Sequence, residues 1–183
     1  MGPSLQATDT PWQVGVDPPQ RVELTPQGLL VVSHPGGRAW ASPRLPLTPL
    51  NERVPGQVEE LLWEATITLE RTFFIVCELR FAGEPGALLI QATPHDLQLF
   101  QDTERPGGGT SVSLSRLAGD GTPHQWRLRL DDAAVTLMLD GSPVWRLDGA
   151  RALARVAFGE TRSDALHGGT MLLRDLVYVR RPA

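Results

Sequence analysis

Lysine is missing from this chain altogether: all 17 basic residues are arginine. Biased codon usage in a GC-rich genome produces such one-sidedness. A heat-adapted surface is the second reading, although arginine-for-lysine exchange is a weak sign of it. Cysteine occurs once, at Cys77, which excludes an internal disulfide. The apolar run FFIVCELRF around it marks a small core residue rather than a nucleophile. No apolar run approaches the ~18 residues of a membrane-spanning helix. The opening segment MGPSLQATDTPW carries neither a basic nor an apolar stretch, so it does not read as a secretory leader. A complete chain is then expected in the cytoplasm; otherwise it is a domain excised from a larger protein, a secreted one included. Excess positive charge is lacking too. A net charge of −4 and a pI near 5.5 argue against a nucleic-acid partner.

Helical periodicity is equally scarce. The one candidate is Asp148–Val156, long enough for a turn or two. What fills the chain instead is short β-prone runs punctuated by 18 glycines and 16 prolines. Strands are expected near Val22–Leu24, Leu29–Ser33, Ala39–Ser42, Leu62–Glu70, Phe73–Phe81, Ala87–Ala92 and Leu97–Gln101. Further strands are expected near Ser111–Leu117, Gln125–Asp131, Val135–Leu139, Val144–Leu147, Arg155–Phe158 and Met171–Val179. So many strands without crossover helices imply antiparallel sheets in a sandwich or barrel. With 183 residues the chain reads as one domain, 1–183, able to bury about 70% of its unfolded surface without staples. The proline-rich segment from Pro43 to Pro55 predicts a long surface crossover between sheets.

The clearest local signal runs from His124 to Gly149. Trp126, Leu128 and Leu130 alternate with arginines, Asp131-Asp132 breaks the run, Val135, Leu137 and Leu139 resume it, and Asp140-Gly141 breaks it again. Alternation interrupted by Asp-Gly predicts two tight hairpins.

Motifs with chemistry are few. His34, His95, His124 and His167 share no metal-ligand spacing, and no cysteine cluster joins them, so no metal site is expected. Gly107-Gly108-Gly109 lacks the strand-loop-helix setting of a phosphate cradle and reads as a loop tip. No G-x-S-x-G occurs, and SVSLS is an alternating strand rather than a nucleophile elbow. Among five tryptophans, alternation sends Trp63 and Trp126 to the core. Trp40 and Trp145 are the candidates for an exposed ring, with an edge-covering or core role as the alternative.

From His124 onward the chain resembles the concanavalin A-like lectin/glucanase superfamily, in particular LamG-like jelly-roll domains. The residues that carry the resemblance are Trp126, VTLMLDG, Pro143-Val144, ARVAFGE and GGTMLLRDLVYVRR, with Asp175 and Val177 at the family's Asp-x-Val. The resemblance implies an all-β antiparallel sandwich of jelly-roll type. It also implies that the outward residues Glu64, Glu78, Arg80, Arg127 and Arg129 form one charged strip. The family's glycosidases carry E-x-D-x-x-E on one strand, and this chain has no such motif. What remains is Glu64 with Glu78 as a catalytic pair on adjacent strands, against the alternative that both serve surface ion pairs. The leading expectation is therefore a non-catalytic carbohydrate-binding module. Trp40 or Trp145 would stack on sugar, and Glu78, Arg80, Arg127 and Arg129 would bind hydroxyls. A glycoside-processing enzyme and a protein-interaction domain are the alternatives. No cofactor is expected beyond calcium, which the resemblance allows through Asn51, Asp120 and Asp164.

Overall fold

The computed structural model describes residues 11–70, 74–102, 110–114, 118–162 and 168–182. Expectations falling on Phe73, Gly107–Gly109, Ser115–Leu117, Asp164 and His167 lie outside the described residues. The strands in chain order are β1 (Trp12–Val16), β2 (Arg21–Thr25), β3 (Gly28–Ser33), β4 (Ala39–Pro43), β5 (Gln57–Leu69), β6 (Phe74–Phe81) and β7 (Ala87–Ala92). They continue with β8 (Leu97–Asp102), β9 (Thr110–Ser113), β10 (Asp120–Leu130), β11 (Ala134–Leu139), β12 (Ser142–Asp148), β13 (Leu153–Glu160) and β14 (Gly169–Pro182). One 3-10 turn, Leu50–Glu52, interrupts the proline-rich crossover, which carries the chain from one sheet to the other as its composition predicts. No α-helix occurs among the described residues: Asp148–Val156 is the end of β12, a bend and the start of β13. No helix there is long and apolar enough to cross a membrane.

The strands make two antiparallel seven-stranded sheets, ordered β1-β4-β13-β6-β7-β8-β9 and β12-β11-β10-β5-β14-β3-β2. They pack face to face as a sandwich, and the core is shared by residues from both. At its centre, Trp63 on β5 and Trp126 on β10 sit directly opposite in register. Their rings stack at 5.8 Å and 6°. Phe158, from the other sheet, meets Trp63 edge-on at 5.4 Å. Such offset and edge contacts are the geometries aromatic quadrupoles favour.

The expected hairpins form as the alternation predicts. Asp131 Oδ1 accepts from the amides of Ala133 and Ala134, each at 2.9 Å, and closes the first turn. At the second, Asp140 and Gly141 both take positive φ, 50° and 77°. That is the primed turn whose twist matches the strands.

Two features depart from expectation. β1 is an edge strand that its proline-flanked sequence did not announce; it pairs with β4. In β6, a register shift between Ile75 and Cys77 marks a β-bulge. The bulge inserts one residue, so Phe74, Val76, Cys77, Leu79 and Phe81 all join the core, and Ile75 turns to the opposite face. Alternation carried back from the outward Glu78 and Arg80 would place Phe74 and Val76 outward and Ile75 inward.

Candidate functional site

The charged strip expected from the resemblance does not exist as one surface. Glu64, Arg127 and Arg129 lie on β5 and β10 of one sheet, while Glu78 and Arg80 lie on β6 of the other. The neighbours of these residues in sequence, such as Trp63, Cys77, Leu79, Trp126 and Leu128, are in the shared core, so the two groups face away from each other across the sandwich. Glu64 and Glu78 therefore cannot act as a carboxylate pair. Glu64 instead accepts from Gln125 Nε2 at 2.6 Å and meets Arg174 Nη1 at 3.5 Å. Arg129 binds Asp131 at 3.1 Å. Arg127 borders a small dent of about 160 Å³ with Leu62, Gln125 and Met138. Trp145 is half-buried on the edge strand β12 and closes a cleft of about 150 Å³ at the open end of the core.

What remains on the outer face of the first sheet is a compact group around Glu78. This carboxylate is only 4% exposed although it faces away from the core. Its Oε1 accepts from Arg80 Nε at 2.7 Å, and Arg155 Nη1 lies 3.9 Å away. Its Oε2 accepts from Thr161 Oγ1 at 2.7 Å. β13 pairs with β6 so that Ala157 stands opposite Glu78 and Arg155 opposite Arg80. On the other side, β7 places Leu89 opposite Glu78. The guanidinium carbon of Arg155 lies 4.4 Å from the centre of the Trp40 ring, a cation–π contact. Gly15 on β1 lets that ring lie against the backbone: a Cβ there would sit 2.3 Å from Trp40 Cε2. Next to Glu78 on the other flank, Ile75, Ala87 and Leu89 form a small apolar cluster with Phe100, separate from the core.

The site thus has a cationic, aromatic half (Arg80, Arg155, Trp40) and an apolar half (Ile75, Leu89, Phe100), with one buried carboxylate where they meet. Arg155 Nε is buried with no hydrogen-bond partner, which leaves a donor to be satisfied on this face. The sequence reading had found Trp40, Glu78 and Arg80, and the structure brings these three together. It had missed Arg155 and Thr161. The alternation of Arg155 and Ala157 with the core residues Val156 and Phe158, on an expected strand, is the available signal for Arg155. Cys77, next in the chain, is fully buried, and burial together with the Glu78 charge pushes its thiol well up, so it is no nucleophile here.

His124 belongs to a different cluster, at the turn end of β10. Its Nδ1 lies 2.7 Å from Asp140 Oδ2 and its Nε2 lies 3.2 Å from Asp120 Oδ1. The two carboxylates use opposite ring nitrogens, so they cannot converge with the imidazole on one ion. Among the described residues no cluster of His, Cys, Asp and Glu gathers in a way that could hold a metal. Asn51 and Asp120 lie near opposite ends of the 13-residue β5, Asn51 before its start and Asp120 opposite Thr68. Burial alone would lower the His124 pKa, but the hydrogen bonds and charges of Asp140 and Asp120 outweigh it and raise the value. A raised folded pKa means that the imidazolium contributes stability below its unfolded value, near 6.5, and that this is lost as pH rises through the folded value. The unfolding free energy of the wild type, read from urea titrations, should therefore fall as pH rises above the ordinary histidine range, with a slope no steeper than about 1.4 kcal/mol per pH unit for one proton. His124→Gln should flatten that slope; an unchanged slope would refute the assignment.

No family model matches the chain, and no curated protein matches it by sequence. Solved structures do. An alginate lyase from Pseudomonas aeruginosa superposes with a TM-score of 0.55 at 16% identity, over 87% of this chain and 86% of its own. An alginate lyase of polysaccharide lyase family 7 gives 0.60 at 12% identity, over 97% of this chain and 100% of its own. A third alginate lyase, solved with dimannuronate, gives 0.62 at 9% identity, over 85% and 75%. These neighbours correct the leading expectation of a non-catalytic, lectin-type module: several structures that share this architecture over most of its length are lyases, so the resemblance no longer favours binding without catalysis. The chain has the concanavalin A-like jelly-roll fold that the resemblance implies and that these lyases share.

Proposed function

We propose that this protein is a polysaccharide-degrading enzyme that cleaves a carboxylate-bearing sugar polymer by elimination on the outer face of the β4-β13-β6-β7 sheet. The observation that carries this reading is the buried carboxylate of Glu78, set between two guanidinium groups beside a half-buried indole. Hydrolysis by the usual route needs two carboxyl groups flanking the scissile bond, about 5–9.5 Å apart. The cross-strand neighbours of Glu78 are Ala157 and Leu89, which offer no second carboxyl group. Elimination from a uronate needs one base and a cation to hold the substrate carboxylate. Both are here.

The chemistry follows from the contacts. Arg80 and Arg155 are partly exposed, so a uronate carboxylate docking on them competes with Glu78 for ion pairs that are individually weak. Binding of that carboxylate makes the proton on the adjacent carbon more acidic, because negative charge developing there spreads onto a group held by guanidinium donors. Glu78, released from its pairs, takes that proton. The glycosidic C–O bond at the next carbon breaks, its electron pair leaves with oxygen, and a C=C bond forms. The proton passes from Glu78 to the departing oxygen, which returns the carboxylate to its starting state. Trp40 supplies an apolar surface for a sugar ring.

Likeness to alginate lyases makes mannuronate- and guluronate-containing chains the first substrates to try. The test is an ultraviolet assay of the new C=C bond with polymannuronate, polyguluronate, polygalacturonate and a neutral glucan. Absorbance should rise with at least one polyuronate and stay flat with the glucan. No rise with any polyuronate at high protein concentration would overturn the proposal.

A further inference from the structure

A second cleft, of about 500 Å³, opens where β5 begins and β14 ends. Its position follows from register. Along the inward-facing positions of this strand pair, Leu61 stands opposite Tyr178, Glu59 opposite Arg180, and Gln57 opposite Pro182. The core therefore changes from apolar to ionic to polar over three steps, and the crossover before β5 folds over the last of them. Thr48, Glu52 and Val54 of that crossover form one wall, and Gln57, Arg180 and Arg181 form the other.

The donors of this cleft are arranged and only partly used. Arg180 is held by Pro46, whose carbonyl accepts from Nη2 at 2.6 Å, and by Glu59, 3.7 Å from Nε. Arg181 donates through Nη2 to Glu60 at 2.9 Å. A guanidinium has five N–H donors, so Arg180, at an inward position opposite Glu59, retains capacity toward the cleft, whereas Arg181 and Glu60 take the outward positions of the same strands. Gln57 accepts through Oε1 from the Val54 amide at 3.2 Å, which commits its oxygen and turns its amide nitrogen into a donor for a ligand. Thr48 is only 7% exposed, and its hydroxyl, set in the wall, has no hydrogen-bond partner. Val54, 65% exposed, and Pro55 form an apolar lip.

We infer that this cleft binds a small organic carboxylate of sugar-acid size. A guanidinium such as that of Arg180 grips a carboxylate with parallel N–H···O bonds, and the Gln57 amide and Thr48 hydroxyl suit the remaining polar groups of such a ligand. A carbon ring would rest on Val54 and Pro55, and the volume lies within the range of small-molecule sites. The cleft lies at one end of the sandwich, away from the Glu78 face, so this inference does not depend on the catalytic reading.

The test is amide-resolved NMR titration of the full chain with glucuronate, using glucose as the neutral control. Saturable shifts with glucuronate at residues 48–57 and 180–182, absent with glucose, are the expected result. Shifts confined to the surroundings of Glu78 and Arg155, equal shifts with glucose, or none would each overturn it. Arg180→Met should weaken glucuronate binding at least about tenfold. Because that change strips Glu59 of its partner, Val54→Glu serves as a second variant, placing a repelling charge on the exposed lip without touching a buried pair. Glucuronate affinity equal to wild type in Val54→Glu would also overturn the inference.

Discussion

Glu78→Gln is expected to lower kcat on a responsive polyuronate by roughly 10²–10⁴-fold, the usual contribution of a positioned general base. The substitution keeps the shape and most contacts of the side chain. The Gln carbonyl can still accept from Arg80 Nε, and the Thr161 hydroxyl, now 2.7 Å from Oε2, can rotate to accept from an amide nitrogen. Unfolding midpoints should therefore change little. KM separates a base from a scaffold. Without the Glu78 charge, Arg80 and Arg155 face the substrate carboxylate with less competition, so KM should hold or fall while kcat collapses. If Glu78 served only to hold the two arginines, its loss would raise KM and spare kcat. That pattern, read from initial rates alongside a melting curve, would remove Glu78 from the reaction.

The position of Glu78 shows where sequence reading stops. Alternation identifies which side chains of a strand share a face, and for β5 and β10 it placed Trp63, Ala65, Ile67, Trp126, Leu128 and Leu130 in the core correctly. It carries no information about which sheet a strand joins. β5 and β6 are consecutive in sequence yet belong to different sheets, so Glu64 and Glu78, 14 positions apart, are separated by the full thickness of the sandwich. The bulge in β6 was also invisible, because FIVC is apolar at every position and gives no polar residue to betray a shift in phase. Hairpins at Asp131 and Asp140-Gly141 were legible because short-range turn chemistry determines them. The candidate site was legible only in part. Trp40 and Arg155 are 115 positions apart, and nothing in either segment says that the guanidinium will lie on the indole.

Trp63→Ala is expected to be the most destabilising single change among those considered, at about 3–5 kcal/mol. The reason is the number of partners lost at once. Trp63 is 1% exposed, stacks on Trp126 within its own sheet and meets Phe158 of the other sheet edge-on. Removing the indole opens a cavity between the sheets and deletes two aromatic contacts, each worth about 0.5–1.5 kcal/mol beyond its buried area. In a domain of this size such a loss lowers the melting temperature by roughly 6–20 °C. Trp63→Phe should cost far less, for a reason specific to this site. The Trp63 indole N–H is buried without a hydrogen-bond partner, so the smaller ring removes an unsatisfied donor while keeping an aromatic face against Trp126. The ratio of the two losses tests this account of the core. If Phe costs as much as Ala, the indole N–H makes a contact that stabilises the fold. If Ala costs under about 1.5 kcal/mol, the sheets close over the gap, and the Trp63–Phe158 contact does not hold them together.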